Sequence, residues 1–158
     1  MITIREMTPE DYDQKGFVHY KAWQETYTGL MPESFLAKQT LEKCQNIARR
    51  WPENTFVAEL DGRIVGFSCY GTSRDSVDAN AGEVYAIYIL AEAQGFGIGR
   101  KLMDAALARL AGCSSIILWV LKSNDQAIGF YQHYGFYLDC AEKTMPLGTE
   151  LRMLYRKS

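Results

Sequence analysis

The run Glu83-Val84-Tyr85-Ala86-Ile87-Tyr88-Ile89-Leu90-Ala91-Glu92-Ala93-Gln94-Gly95-Phe96-Gly97-Ile98-Gly99-Arg100-Lys101 decides the fold. Residues 83–90 are apolar at nearly every position, which predicts a strand covered on both faces. Three glycines follow. Ile98, Leu102, Ala106 and Leu110 then recur every fourth residue, with Met103 and Leu107 beside them, so 98–110 reads as an amphipathic helix. Next comes the unbroken apolar run Ile116-Ile117-Leu118-Trp119-Val120-Leu121, expected of a central buried strand. Strand, glycine turn, helix and strand make a βαβ unit, with the two strands parallel and the crossover right-handed.

Working outward, residues 2–6 alternate as a first strand. Thr8, Pro9 and Asp11 form a helix-start signature for a helix running to about Thr28 and stopped by Gly29. Residues 33–38 and 41–50 read as two short helices, the second with Thr40 as a possible cap. Asp61-Gly62 separates two apolar runs, 56–60 and 64–70, a strong hairpin signal. Residues 72–82 are polar and read as a loop. Residues 125–134 read as a helix ended by Gly135, and 136–144 with 149–155 as a hairpin around Pro146-Leu147-Gly148. The expected class is α/β: a mixed, mostly antiparallel sheet with helices on both faces.

The chain of 158 residues suits one domain over 1–158, large enough to bury roughly 70% of its unfolded surface. The hydrophobic fraction is 47% and the net charge −2, which argues against a general nucleic-acid or membrane-surface binder. No apolar run reaches the roughly 18–20 residues needed to span a bilayer. The N-terminus reads as a strand rather than a signal peptide. Cys44, Cys69, Cys113 and Cys140 form no C-x-x-C pair and read mainly as buried free thiols, so a reducing cytoplasm is the expected location. No cluster has metal-ligand spacing, so no metal is expected.

A strand feeding a glycine loop and then a helix is an anion site. The first helical N–H groups lack partners, and the helix dipole adds about half a positive charge there. Arg100 and Lys101 add cationic charge. A dinucleotide fingerprint fails, because counting from Gly95 puts Arg100, and counting from Gly97 puts Leu102, where the last glycine belongs. A phosphate-binding P-loop fails similarly. What fits is Gln-x-x-Gly-x-Gly over Gln94, Gly97 and Gly99. It is followed by Asn-x-x-Ala-x-x-Phe-Tyr-x-x-x-Gly-Phe over Asn124, Ala127, Phe130, Tyr131, Gly135 and Phe136.

These two segments, in this order and spacing, resemble the GNAT superfamily of N-acetyltransferases in its bacterial form. The resemblance covers roughly residues 83–136, and the N-terminal helices and the 56–70 hairpin match its layout more loosely. It implies that parallel strands 83–90 and 115–122 splay apart at their C-terminal ends and take acetyl-CoA as co-substrate between them. The pantetheine arm would then pair with backbone around Ile87, Tyr88 and Ile89. The pyrophosphate would sit on Gly95, Phe96, Gly97, Ile98, Gly99 and Arg100, beside Lys101 and Gln94. Asn124, Ile128 and Tyr131 would line the arm's other side.

The implied reaction is direct attack of a primary amine on the thioester in a ternary complex. It needs a neutral amine, a donor for the oxyanion and a proton or hydrogen bond for the thiolate. Tyr131 stands at the superfamily's usual general acid, and packing against the arm is its plainer role. Glu83 stands where a water-relayed base is often held, although acids at a strand start also face solvent. A backbone N–H near Tyr88 or Ile89 would serve the oxyanion. Trp23, Tyr27 and Tyr85 are candidates for the acceptor pocket, although an aromatic helical stripe is more often core. His19 and His133 read as structural or surface residues, and Asp75 and Asp78 as a loop that could border the acceptor. The acceptor is a small molecule or a protein amino group, and the protein a possible homodimer. The alternative is a non-catalytic acetyl-CoA sensor or interaction module.

Overall fold

A computed structural model describes residues 1–75 and 79–156. In chain order it comprises β1 (Ile2–Glu6), a 3-10 turn (Pro9–Asp11), α1 (Tyr12–Tyr27), α2 (Glu33–Lys38), α3 (Leu41–Arg50), β2 (Thr55–Leu60) and β3 (Arg63–Thr72). There follow β4 (Ala81–Ile89), a second 3-10 turn (Ala91–Ala93), α4 (Ile98–Arg109), β5 (Ser115–Leu121), α5 (Asp125–Tyr134), β6 (Tyr137–Met145) and β7 (Gly148–Arg156). The predicted elements are present, most of them within two residues of the expected bounds. The exception is the start of α1, which is preceded by a tight 3-10 turn over Pro9–Asp11.

The ends are set by local chemistry. The Asp11 carboxylate accepts the Thr8 N–H at 2.8 Å and is held by Arg5 at 2.7 and 2.9 Å, tying the start of α1 to β1. Thr40 Oγ1 accepts the Lys43 N–H at 3.1 Å at the start of α3. Asp61 and Gly62 both take positive φ, 51° and 83°, as a two-residue hairpin turn of the right twist requires.

The seven strands run in the order β1-β2-β3-β4-β5-β7-β6. Only the β4–β5 pair is parallel. Helices cover both faces, as neighbouring residues of β3 show. Phe67 meets His19 of α1 edge-on at 5.6 Å and lies under the Lys15 ammonium at 4.4 Å. Gly66 lies against Leu102 of α4, and the Ser68 hydroxyl donates to the Leu102 carbonyl at 3.3 Å. Alternation along the strand therefore sends α1 and α4 to opposite faces. α5 lies on the α4 side, where Phe130 backs Gly99 and Tyr134 donates to Asp104 at 2.5 Å.

Two expectations need correction. β4 is not covered on both faces throughout: Ala81–Val84 are buried, but Tyr85–Ile89 are half-buried or exposed, because β5 has left their side. Cys140 is an exposed free thiol, Cys69 and Cys113 are half-buried, and only Cys44 is fully buried. Of the two readings of His19, structural or surface, its packing supports the structural one. It stacks on Tyr88 at 5.8 Å, and burial lowers its pKa to about 3, so it is neutral. Among the described residues no helix is long and apolar enough to cross a membrane.

Candidate active site

The parallel ladder between β4 and β5 lasts three residue pairs: Ala81–Ser115, Gly82–Ile116 and Glu83–Ile117. A bulge then intervenes. On β3, Cys69 faces Ala86 while Tyr70 faces Val84, so Tyr85 is the extra residue. Past it β5 stays with β7, and β4 stays with β3 as far as Gly66–Ile89. The two strands part, leaving a cleft of about 400 Å³. Leu90 N–H donates to the Val65 carbonyl at 2.9 Å, which fixes the phase of the antiparallel ladder. The peptide groups of Tyr88 are thereby committed to β3, and those of Ile87 and Ile89 are directed at the gap. β4 thus offers a short unpaired strand edge on one wall.

The glycine loop closes one end of the cleft. Gly97 caps α4 at φ 78°, and Gly95 lies at φ 87°, both left-handed. A Cβ at either would enter open space, so the bare backbone faces the cleft rather than a neighbour. At Gly99 a Cβ would stand 3.2 Å from Ile89 and Phe130, so that glycine serves close packing. The free N–H groups of a 12-residue helix therefore point into a gap walled by Gln94, Gly95 and Arg100. Gln94 is a cross-tie: its amide donates to the Ile89 carbonyl at 3.3 Å and accepts from Gln126 of α5 at 3.3 Å. The fit to a diphosphate linked to an extended amide chain rests on this pairing of donor-rich helix end and open strand edge.

Three tyrosines occupy the far part. Tyr131 of α5 lines the cleft, its ring packed on Phe130 at 5.5 Å and Phe136 at 6.1 Å. Among the described residues its hydroxyl has no hydrogen-bond partner, and burial, with the nearby Tyr27, pushes its pKa well above that of an ordinary phenol. The Tyr27 and Tyr88 hydroxyls bond each other at 3.1 Å. Asn124 caps α5, accepting the Ala127 N–H at 3.2 Å, and it lines the cleft while almost fully buried.

Of the residues read from the sequence, Tyr27, Tyr85, Ile87, Tyr88, Ile89, Gln94, Gly95, Gly97, Ile98, Gly99, Arg100, Asn124 and Tyr131 line one cleft. Phe96, Lys101, Ile128, Trp23 and Glu83 do not. Phe96 is 60% exposed. Trp23 packs edge-on against Tyr27 at 4.7 Å, beside a small core of Met31, Leu36 and Leu121. Glu83 is 1% exposed, and both of its oxygens are taken by Arg74, one by the backbone N–H at 2.9 Å and one by the guanidinium at 2.6 Å. Asp75 accepts the Trp119 indole N–H at 2.6 Å; Asp78 lies outside the described residues.

Sequence reasoning missed Trp119 and Gln126 as cleft residues. For Trp119 a signal existed: an indole needs a partner for its N–H, which a fully apolar strand cannot supply.

Comparison with known proteins agrees with this geometry. A model described as the acetyltransferase (GNAT) family matches residues 18–136. The uncharacterized N-acetyltransferase YuaI of Bacillus subtilis (strain 168) is 33% identical over 141 residues, covering 85% of this chain and 79% of that protein. A probable N-acetyltransferase of Mycobacterium tuberculosis is 27% identical over 144 residues, covering 87% and 81%. In fold, the chain is similar to the crystal structure of PaiA N-acetyltransferase from Thermoplasma acidophilum in complex with coenzyme A. The TM-score is 0.79, with 24% identity and 99% of each chain covered.

Proposed function

The chain belongs to the acetyltransferase (GNAT) family and is an acyl-CoA-dependent N-acetyltransferase, and from this premise we propose that it moves acetyl from acetyl-CoA to a primary amine by direct attack, with residues 1–158 acting as one domain. The observation that carries the reading is the splay. The strand edge of Ile87 and the Ile89 N–H, the α4 N-terminus and the Tyr131 hydroxyl all border one cleft. The diphosphate sits on the amides at Gly97 to Arg100, and the pantetheine amides pair with β4. The thioester lies near Tyr131, with the Ile89 N–H, rather than that of Tyr88, turned to the oxyanion.

Magnitudes shape the role of Tyr131. An ordinary phenol has a pKa of about 10 and a thiol about 8.5, so proton transfer between them is uphill by ~2 kcal/mol. Burial raises the Tyr131 phenol further, which makes stepwise transfer worse. Tyr131 therefore donates a hydrogen bond to the departing sulfur and passes its proton only as the C–S bond breaks. Glu83 is clamped by Arg74 and is not the base in this arrangement; the amine enters neutral. An alkylamine is only ~0.04% neutral at pH 7, so the rate climbs with pH.

The test is coenzyme A release from acetyl-CoA over a panel of amines, with Tyr131→Phe and Glu83→Gln run alongside. Tyr131→Phe lowers kcat by about 100-fold while acetyl-CoA affinity stays within about three-fold. Glu83→Gln keeps the rising pH profile of the parent. Wild-type turnover in Tyr131→Phe would remove Tyr131 from the chemistry. A pH limb lost in Glu83→Gln would restore Glu83 as base.

A further inference from the structure

Trp119 sits on β5 where it forms cleft wall, and its neighbours are charged. Its indole N–H is held by Asp75 at 2.6 Å. The Lys143 ammonium lies over its ring at 4.1 Å from the centroid and reaches Glu150 at 3.7 Å. The surrounding guanidinium groups have carboxylate partners of their own: Arg152, whose guanidinium also lies 5.9 Å from the Trp119 ring centroid, binds Asp139 at 2.6 Å, and Arg74 binds Glu83 at 2.6 Å. Among the described residues Asp75 has no cation at ion-pairing distance. The fold has built a station for an ammonium, an aromatic face flanked by two carboxylates, and has filled it with its own lysine.

That occupant is loosely held. The Lys143 side chain is 44% exposed, and 3.7 Å exceeds a hydrogen bond, so releasing it costs little. Tyr85, from the β4 bulge, lines the same cleft, with the Arg74 guanidinium 4.5 Å from its ring centroid. Trp119, Tyr85 and Tyr131 line one cleft, so an acceptor held there can have one amine at Tyr131 and the rest of its chain at Trp119.

We propose that Trp119, Asp75 and Glu150 form a specificity subsite for a second positive charge, so that the acceptor is a diamine or other dication whose distal ammonium displaces Lys143. This rests on the transferase reading above. Only the proximal amine reacts: its nitrogen bonds to the acetyl carbon, the C–S bond breaks and coenzyme A leaves as the thiol with the Tyr131 proton, and the nitrogen's surplus proton passes to solvent, from which Tyr131 is reprotonated. The distal ammonium stays charged and bound.

The experiment compares n-butylamine with 1,3-diaminopropane, 1,4-diaminobutane and 1,5-diaminopentane. Wild type should prefer at least one diamine by ten-fold or more in kcat/KM. Asp75→Asn should raise the diamine KM several-fold with kcat little moved. Lys143→Met, which vacates the station, should lower the diamine KM, a direction that a merely structural lysine would not give. Equal use of n-butylamine and the diamines, or a diamine KM unchanged or raised in Lys143→Met, overturns the proposal and leaves the transferase reading intact. Transfer to no amine at all counts against that reading instead. The subsite is then tested by Trp119 fluorescence in a Trp23→Phe, Trp51→Phe background: saturable quenching by a diamine but not by n-butylamine supports it, and its absence overturns it.

Discussion

Tyr131 and His19 show how burial turns a titratable group into a fixed one. Both are shifted chiefly by desolvation, and both are held neutral. For Tyr131 this keeps the donor proton in place at every pH where the amine is free. The rate should therefore show no descending limb below about pH 9 from this phenol. For His19 the consequence is stability. Its ring packs among Phe67, Tyr88 and Trp23, with Nδ1 unpartnered, and its folded pKa of about 3 lies below the unfolded value of about 6.5. The unfolded chain takes up the proton first, so stability is intact above pH 6.5 and falls as the pH drops. Between pH 6.5 and 5 the fall approaches about 1.4 kcal/mol per pH unit. Urea unfolding across that window measures it, and His19→Phe should flatten the slope.

Two glycines serve the helices for different reasons, one for close packing and one for a left-handed backbone. In α1, a Cβ on Gly16 would stand 2.5 Å from the Cα of Gln45 in α3. Helix propensity favours Gly16→Ala by about 1 kcal/mol, but overpacking against backbone costs about 1–3 kcal/mol, so the net effect is destabilising. Urea titration reads this, and acetyl-CoA affinity should hardly change. In the loop before α4, Gly97→Ala forces a left-handed alanine, at about 1 kcal/mol, and on the proposed binding mode places a methyl in the space of the diphosphate. Calorimetry should find acetyl-CoA binding weakened about ten-fold or more. The second segment, from Asn124 to Phe136, was as legible in the sequence as this loop. In both, the function belongs to contiguous residues with strict backbone demands, and those demands write themselves as glycine, asparagine and spacing. The Tyr85 bulge left no such trace. It is built from residues that suit any strand, and it exists only because β3 and β4 must part company with β5.

Across the seven strands, the order and direction of the βαβ core follow from patterning. The partners of isolated polar groups do not. Glu83 looked free to act as a base because its clamp, Arg74, lies in a polar loop that composition alone leaves unplaced. Trp119 looked like core because its strand is apolar throughout, whereas alternation sends every second side chain to the face bearing Asp75, Lys143 and Arg152. Both cases share a cause: a strand's faces are distinguished by what packs on them, and that is long-range information.

The brevity of the parallel ladder has a mechanical sequel. Backbone pairing between the β1–β4 half of the sheet and the β5–β7 half is limited to three residue pairs, and the Gln94–Gln126 bond spans the mouth of the gap. An arch of that shape stands best with its keystone in. On the proposed binding mode acetyl-CoA lies in the gap, supplies the missing strand and joins the two halves of the sheet. At 100 times its dissociation constant it adds about 2.7 kcal/mol, or roughly 5–10 °C in Tm for a domain this size. Hydrogen exchange should slow most at Ile87 and Ile89, the amides the keystone covers. A donor that raises Tm without protecting those two amides would place the mortar elsewhere.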